Sequence, residues 1–437
     1  MKPVHTIILG AAGRDFHNFN VHFRKNKNYV VDCFTAEQIP FIEKRKYPAS
    51  LAGRRYPRGI PIYLEKKLPE LVKKYRTELI ILAYSDLSNN TVMEKAYNAL
   101  SLGCDFALLG PENTQLKSRK KVVSVCAART GSGKSQTSKK IAQALKEGGK
   151  RVVVVRHPMP YGDLQQQSVQ LFRRFRDLSK NQCTIEEREE YEPYIELGIP
   201  LMAGVDYERI LRRAEKMADV IVWDGGNNDF SFYKPDLEIV VVDPHRAGNE
   251  LTYYPGAVNT RTADVVIVNK VDTARKESIA LVERNIRSVN PKARILRSES
   301  PVALEGGWNI RGMRVLCVED GPTVTHGGMA FGAAYLAARQ HGARIVDPRK
   351  HAVGSIKKTF QKFPHLKLVL PAMGYSNQQV NELQETINKT PCEVVLDGSP
   401  GNISRMVKTN KIIIRVRYAL KERGWNMKAL LKQYGVL

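Results

Sequence analysis

The sequence predicts an α/β protein built on parallel sheets, and three observations carry that prediction. Short apolar runs alternate with amphipathic stretches along most of the chain. Glycine-bearing turns follow several of these runs, as loops do at the carboxyl ends of parallel strands. The third is V-V-S-V-C-A-A-R-T-G-S-G-K-S at residues 122–135, an apolar strand that passes through a glycine-containing loop into a polar, helix-forming run. With 437 residues, two to four domains are expected, and hydrophobic and charged contents of 43% and 26% exclude a disordered, collagen-like or coiled-coil chain.

Taken in order, residues 4–9, 29–34, 79–84 and 106–109 read as strands of a Rossmann-like N-terminal parallel sheet domain over 1–116. Residues 47–62 hold R-R-Y-P-R-G and have no periodicity, so a surface loop is expected there. The basic connector K-S-R-K-K at 117–121 marks a boundary. Strands at 122–126, 151–156, 220–223, 239–242, 265–268, 293–297 and 314–319 then form a doubly wound domain over 121–330. A C-terminal α/β region over 331–437 follows, with a helix at 327–339, strands at 366–370, 393–397 and 411–417, and a terminal helix at 425–437.

The 69 Lys and Arg against 44 Asp and Glu give a net charge of +25, which favours a polyanionic partner or a generally basic surface. Because the basic residues run from Lys2 to Lys432 without gathering into one arm, nucleic acid is disfavoured. The six cysteines are widely spaced and form no C-x-x-C pair, which argues against zinc and disulfides. No signal-peptide pattern or uncharged apolar run approaching 18 residues is present, so the expectation is a cytoplasmic chain with no membrane partner.

The chemistry centres on Arg129, Thr130, Gly131, Ser132, Gly133, Lys134, Ser135 and Gln136, which read as a P-loop NTPase phosphate site. Small residues let successive N–H groups face the phosphates, Lys134 reaches the β and γ oxygens, and the Ser135 hydroxyl binds Mg²⁺. Ala128 stands where the usual motif has its first glycine. The strand ending W-D-G-G-N-N-D offers Asp224 as a second metal ligand and catalytic carboxylate, with Asp229 as the other choice. N-K-V-D at Asn269, Lys270 and Asp272 matches the pattern that reads guanine, so the nucleotide is ATP or GTP.

Loops after other strands carry Arg156 and His157, then Asp243, His245 and Arg246, then Thr325 and His326. Parallel topology would bring them near the γ-phosphate as a pocket for a small polyanionic substrate, with Arg156, His157 and Arg246 also catalytic; ordinary turns are the alternative. The first strand leads into G-A-A-G-R-D, a start for a phosphate or carboxylate site or simply a tight turn.

Together G-A-A-G-R-D-F-H-N-F-N, A-R-T-G-S-G-K-S, R-H-P-M-P-Y-G-D, W-D-G-G-N-N-D, V-D-P-H-R and G-P-T-V-T-H-G resemble the cyclic 2,3-diphosphoglycerate synthetase-type family over nearly the whole length. The resemblance implies ATP-dependent closure of 2,3-diphosphoglycerate through an intramolecular phosphoanhydride, with Mg²⁺ as cofactor and release of ADP and phosphate. A homo-oligomer, taken as a dimer, is expected. A GTPase acting as a chaperone or switch is the competing function.

Overall fold

The computed structural model describes residues 2–37, 45–157, 162–226, 229–373 and 377–437. The first sheet contains β1 (Val4–Leu9), β2 (Tyr29–Ala36), β3 (Lys46–Tyr47), β4 (Ile60–Leu64) and β5 (Leu79–Leu82). β6 (Leu87–Ser88) leaves it, and β7 (Asp105–Leu108) completes it, in the order β3-β4-β2-β1-β5-β7. Every neighbouring pair is parallel except β3 with β4. Ile8 and Phe34 enter one core cluster while Ile7, Leu9 and Cys33 enter another, so these strands are covered on both faces and read as continuous apolar runs. The expected loop at 47–62 contains β4 instead. Its Ile60 and Ile62 are buried, and Pro61, beside the two-residue β3, masks the alternation in the sequence.

The second sheet has nine strands. β8 (Lys121–Ala127), β9 (Val152–Arg156), β10 (Gln170–Phe172), β11 (Leu201–Ala203) and β12 (Val220–Trp223) form one half. β13 (Leu237–Val242) starts the other, and β14 (Tyr253–Tyr254) pairs antiparallel with β6, tying the first sheet to this one. β15 (Val265–Val268) and β16 (Arg294–Glu299) complete the parallel part. Val123 and Val125 pack with Ile141 and Leu145 of helix Lys134–Glu147. Val122 and Cys126 pack with Ile210 and Leu211 of helix Tyr207–Met217 on the other face. The sheet is therefore doubly wound. β8 lies between β12 and β13, the point where strand order reverses and ligands bind in such sheets.

The third sheet holds β17 (Val302–Leu304), β18 (Arg314–Asp320), β19 (Arg344–Ile345), β20 (Val369–Ala372), β21 (Val394–Gly398) and β22 (Ile412–Tyr418). β18, expected in the second sheet, is central here, paired with β19, β20 and β21. The helix expected at 327–339 begins later, at Ala333, because Glu319 accepts from the backbone N–H groups of Gly332, Ala334 and Tyr335 and fixes that start.

After β22 the chain returns to the second sheet. β23 (Lys421–Arg423) pairs antiparallel with β16, and Leu430 and Leu431 of helix Met427–Gln433 join the core around Ile141 and Leu145. These residues, expected in the C-terminal region, close an edge that β16 would otherwise expose. No helix of the described residues is long and apolar enough to cross a membrane.

Candidate functional site

The loop between β8 and helix Lys134–Glu147 is held from outside by its carbonyl oxygens. Arg246 donates to Thr130 O at 2.8 Å, Lys270 to Gly131 O at 2.6 Å, and Asn269 Nδ2 to Ser132 O at 2.9 Å. Three successive carbonyls are thus tied down, and within the loop Ser132 N–H donates to Arg129 O at 3.3 Å. Gly131 has φ 79°, and a Cβ there would stand 2.6 Å from Thr323 Cγ2. Gly133 has φ 111°, and a Cβ there would overlap the Asn269 amide. Both positions need glycine.

Two side chains of the loop are claimed by the first sheet's unit. Asp86, at φ 58°, accepts from Arg129 Nε at 2.8 Å and from Thr130 Oγ1 at 2.8 Å. Arg129 also donates to Asn249 and to His326 O, and lies 3.6 Å from the centre of the Tyr253 ring. One buried guanidinium thus joins contributions from all three units at the 128–135 loop.

Lys134, the first residue of its helix, puts Nζ 2.5 Å from Asp224 Oδ1. Asp224 follows β12 and is fully buried; it also accepts from Ser138 Oγ at 2.9 Å, Tyr194 OH at 2.7 Å and Arg156. Burial alone would push its carboxyl up, but Arg156 and Lys134 outweigh this and hold it well below the usual carboxylate range. Burial, with Arg156 adding to it, pulls the Lys134 ammonium below the ordinary lysine value despite Asp224. Ser138 lies one turn after Lys134 on the same helix face, a spacing the sequence displays. Tyr194 and Glu190 occupy one face of helix Ile185–Glu196, and Glu190 takes the other side of Arg156 at 2.7 Å.

The strand-end loops converge on the 128–135 loop, and their cations are committed to protein groups. Arg156 sits between Asp224 and Glu190, and Arg246 sits on carbonyls and on Asp243 at 3.1 Å. Both guanidiniums are held by protein groups, as a buried guanidinium must be. Lys270 bridges Gly131 O and Asp243, 2.8 Å from the latter. His245 pairs through Nε2 with Thr273 Oγ1 at 2.9 Å. Thr325 Oγ1 donates to Gly321 O, and His326 is exposed with its ring against Phe363. His157 stacks 4.7 Å from Phe232, and its Nε2 is buried without a hydrogen-bond partner; burial, with Lys134 and Arg156, lowers it to about 3.

Asp229 pairs elsewhere, 4.0 Å from His157 Nδ1. It accepts from Arg14 at 3.2 Å, and burial pushes its carboxyl up to about 7. In the G-A-A-G-R-D turn, Asp15 accepts from the N–H groups of Ala12 and Phe16. Pro158 to Tyr161, Asn227 and Asn228 of the sequence motifs lie outside the described residues.

Of the two expected Mg²⁺ ligands only the Ser135 hydroxyl fits, because both oxygens of the buried Asp224 are taken by Lys134, Ser138, Arg156 and Tyr194. The Ser135 side chain is exposed at the start of the helix, and Asp224 is the carboxylate at the end of the adjoining strand. Among the described residues no group of three or more His, Cys, Asp or Glu side chains could hold a metal. Asp272, on the exposed surface, accepts from Ser300 N at 3.1 Å, while Gln136 contacts Ser300 Oγ at 3.2 Å.

No family model matches the chain. Among curated proteins, arginine synthetase ArcE of Thermococcus kodakarensis is 56% identical over 435 residues, which cover 99% of this chain and 97% of its own length. The chain belongs to this arginine synthetase family. The expected cyclic 2,3-diphosphoglycerate synthetase is thereby corrected, along with the GTPase switch set against it. Cyclic 2,3-diphosphoglycerate synthetase of Thermococcus sibiricus is 25% identical over 52% of this chain and 50% of its own length. Several of the motifs that suggested it supply the 128–135 loop and groups that hold it, and these do not specify a second substrate. Among solved structures, LpxK of Aquifex aeolicus in complex with ATP aligns over 84% of this chain and 99% of its own, at 13% identity and a TM-score of 0.44.

Proposed function

We propose that the chain is a nucleoside-triphosphate-dependent arginine synthetase. The observation that carries this reading is the braced loop from Ala128 to Ser135 with Lys134 on Asp224, joined to membership in a family whose full-length member bears that name. Arginine ends in a guanidinium group, so a synthetase that uses a triphosphate needs a precursor whose oxygen can leave as phosphate. A ureido-ended amino acid meets that need: its oxygen attacks the γ-phosphorus, the bond to the nucleoside diphosphate breaks, and ammonia then displaces phosphate from the carbon with loss of a proton.

In this chain backbone N–H groups of the loop would bind the phosphates, and Lys134 would follow charge as it moves from the γ-phosphoryl group to the leaving oxygen. Asp224 keeps Lys134 in place, and Arg156 with Tyr194 keeps Asp224 ionised and oriented. The Ser135 hydroxyl would hold Mg²⁺ beside the phosphates, whose charge the ion neutralises when bound, and Asp224 would act through Lys134 rather than as a direct ligand.

The test is arginine formation by the purified chain from the ureido analogue of arginine, ammonium, Mg²⁺ and either ATP or GTP. Arginine in amounts matching the nucleoside diphosphate released is the expected result. Triphosphate hydrolysis without arginine would overturn the proposal.

A further inference from the structure

One cavity among the described residues shares no lining residue with the loop at 128–135. It has a volume of about 740 Å³ and is lined by helix Lys276–Val289, by β16 and by the turn after β23. Ala280, Glu283, Arg284 and Arg287 fall at spacings of three and four, so one helix face supplies that wall. β16 supplies Arg294 and Arg297, and the returning segment adds Arg423 and Trp425.

Five arginines therefore meet one carboxylate, and that carboxylate is already taken. Glu283 receives Arg297 through two bonds of 2.6 and 2.8 Å. Arg287 donates to the carbonyls of Pro291 and Ala293 and Arg294 to Gln433, all neutral acceptors. Arg284, Arg287, Arg294 and Arg423 have no ion pair among the described residues. Some surface arginines, such as Arg151, Arg349 and Arg417, have a carboxylate within 4 Å; what sets the groove apart is that four arginines without an ion pair line one cavity. Like charges gathered this closely repel one another unless an anion is shared between them.

We propose that this groove is a second anion site, which binds a compact polyphosphate of nucleotide size. Guanidinium forks suit phosphate oxygens, and the volume falls in the range of small-molecule sites. Ile295 and Trp425 give the cavity an apolar side against which the body of such a ligand can lie. Trp425 is fixed for this by its indole N–H, which donates to Arg297 O at 2.6 Å.

The experiment is titration calorimetry of the full chain with inorganic triphosphate at physiological salt, and of three variants. Wild type is expected to bind two equivalents. Lys134→Ala should keep one of them, and Arg284→Ser/Arg423→Ser should lose the other, weakened at least tenfold, while retaining arginine-forming activity. Arg284→Lys/Arg423→Lys keeps the charge but loses the forks, and should lose most of that affinity too. A single equivalent in wild type, or unchanged binding in the lysine variant, would overturn the site. Tighter binding of a single-stranded oligonucleotide than of triphosphate, dependent on Arg284 and Arg423, would overturn it in favour of nucleic acid.

Discussion

The ammonium of Lys270 lies 2.6 Å from the carbonyl oxygen of Gly131. A four-residue pattern that suggests base reading thus begins with two residues, Asn269 and Lys270, that hold the nucleotide loop in shape, while Asp272 lies exposed on the surface. A brace on a backbone carbonyl is blind to the base. Lys270→Ala should therefore weaken ATP and GTP by the same factor, about tenfold to a hundredfold for one charge-assisted bond of about 1.5–3 kcal/mol. Loss confined to GTP, measured by equilibrium binding of both nucleotides, would return the pattern to base recognition.

Lys134→Ala should cut triphosphate turnover by at least about 10²-fold, the scale seen when one preorganised charge-stabilising donor is removed. The fold should persist, because Asp224 retains Arg156, Tyr194 and Ser138. Turnover at the wild-type level, with an unchanged circular dichroism spectrum, would remove the loop from the active site.

Asp86→Ala should act on the nucleotide from outside its binding loop. It removes the acceptor for both Arg129 and Thr130 and leaves a buried guanidinium short of its carboxylate, a loss of about 2 kcal/mol in stability, softened by the carbonyl of His326 and the Tyr253 ring. The KM for the triphosphate should rise more than kcat falls. A fall in kcat at constant KM would show that Asp86 serves the chemical step instead.

Much of this arrangement is legible in the sequence because it is local. The strand, loop and helix at 121–147 are contiguous, and the aspartate after β12 sits where a parallel neighbour ends. Asp86 is different: it lies 43 positions from Arg129 and is brought to it by packing between the first and second sheets, which no local pattern encodes. β4 is hidden by Pro61, and β23 by a run of three polar residues whose strand state depends on the exposed edge of β16. The roles of Arg156 and Arg246 are hidden for a related reason, since sequence shows a cation after a strand but not whether protein or ligand will pair with it.

His157→Phe tests the aromatic cluster by pH. The folded protein holds His157 at about 3, below its ordinary 6.5, so the unfolded chain takes up a proton first as pH falls. Its contribution is complete above pH 6.5 and is lost progressively as pH drops toward 3. Phenylalanine keeps the stacking on Phe232 and has nothing to protonate, and the buried Nε2 has no partner to lose. Stability at pH 8 should change by less than about 1 kcal/mol, whereas at pH 5 the variant should exceed wild type by roughly 2 kcal/mol. Parallel unfolding curves with the same offset at both pH values would contradict a neutral buried histidine.

The return of the chain to β16 also sets an order of events during synthesis. The ribosome makes β16 well before β23, with all of the third sheet in between. Throughout that interval a nascent chain carries an unpaired strand edge and an uncovered apolar patch on the helix that begins with Lys134. Such edges recruit other strands, so a pause in translation between residues 300 and 420 should favour aggregation, and chaperone demand should peak there. Fragments that stop before residue 421 would retain every nucleotide-loop residue and still lack the wall that steadies its helix.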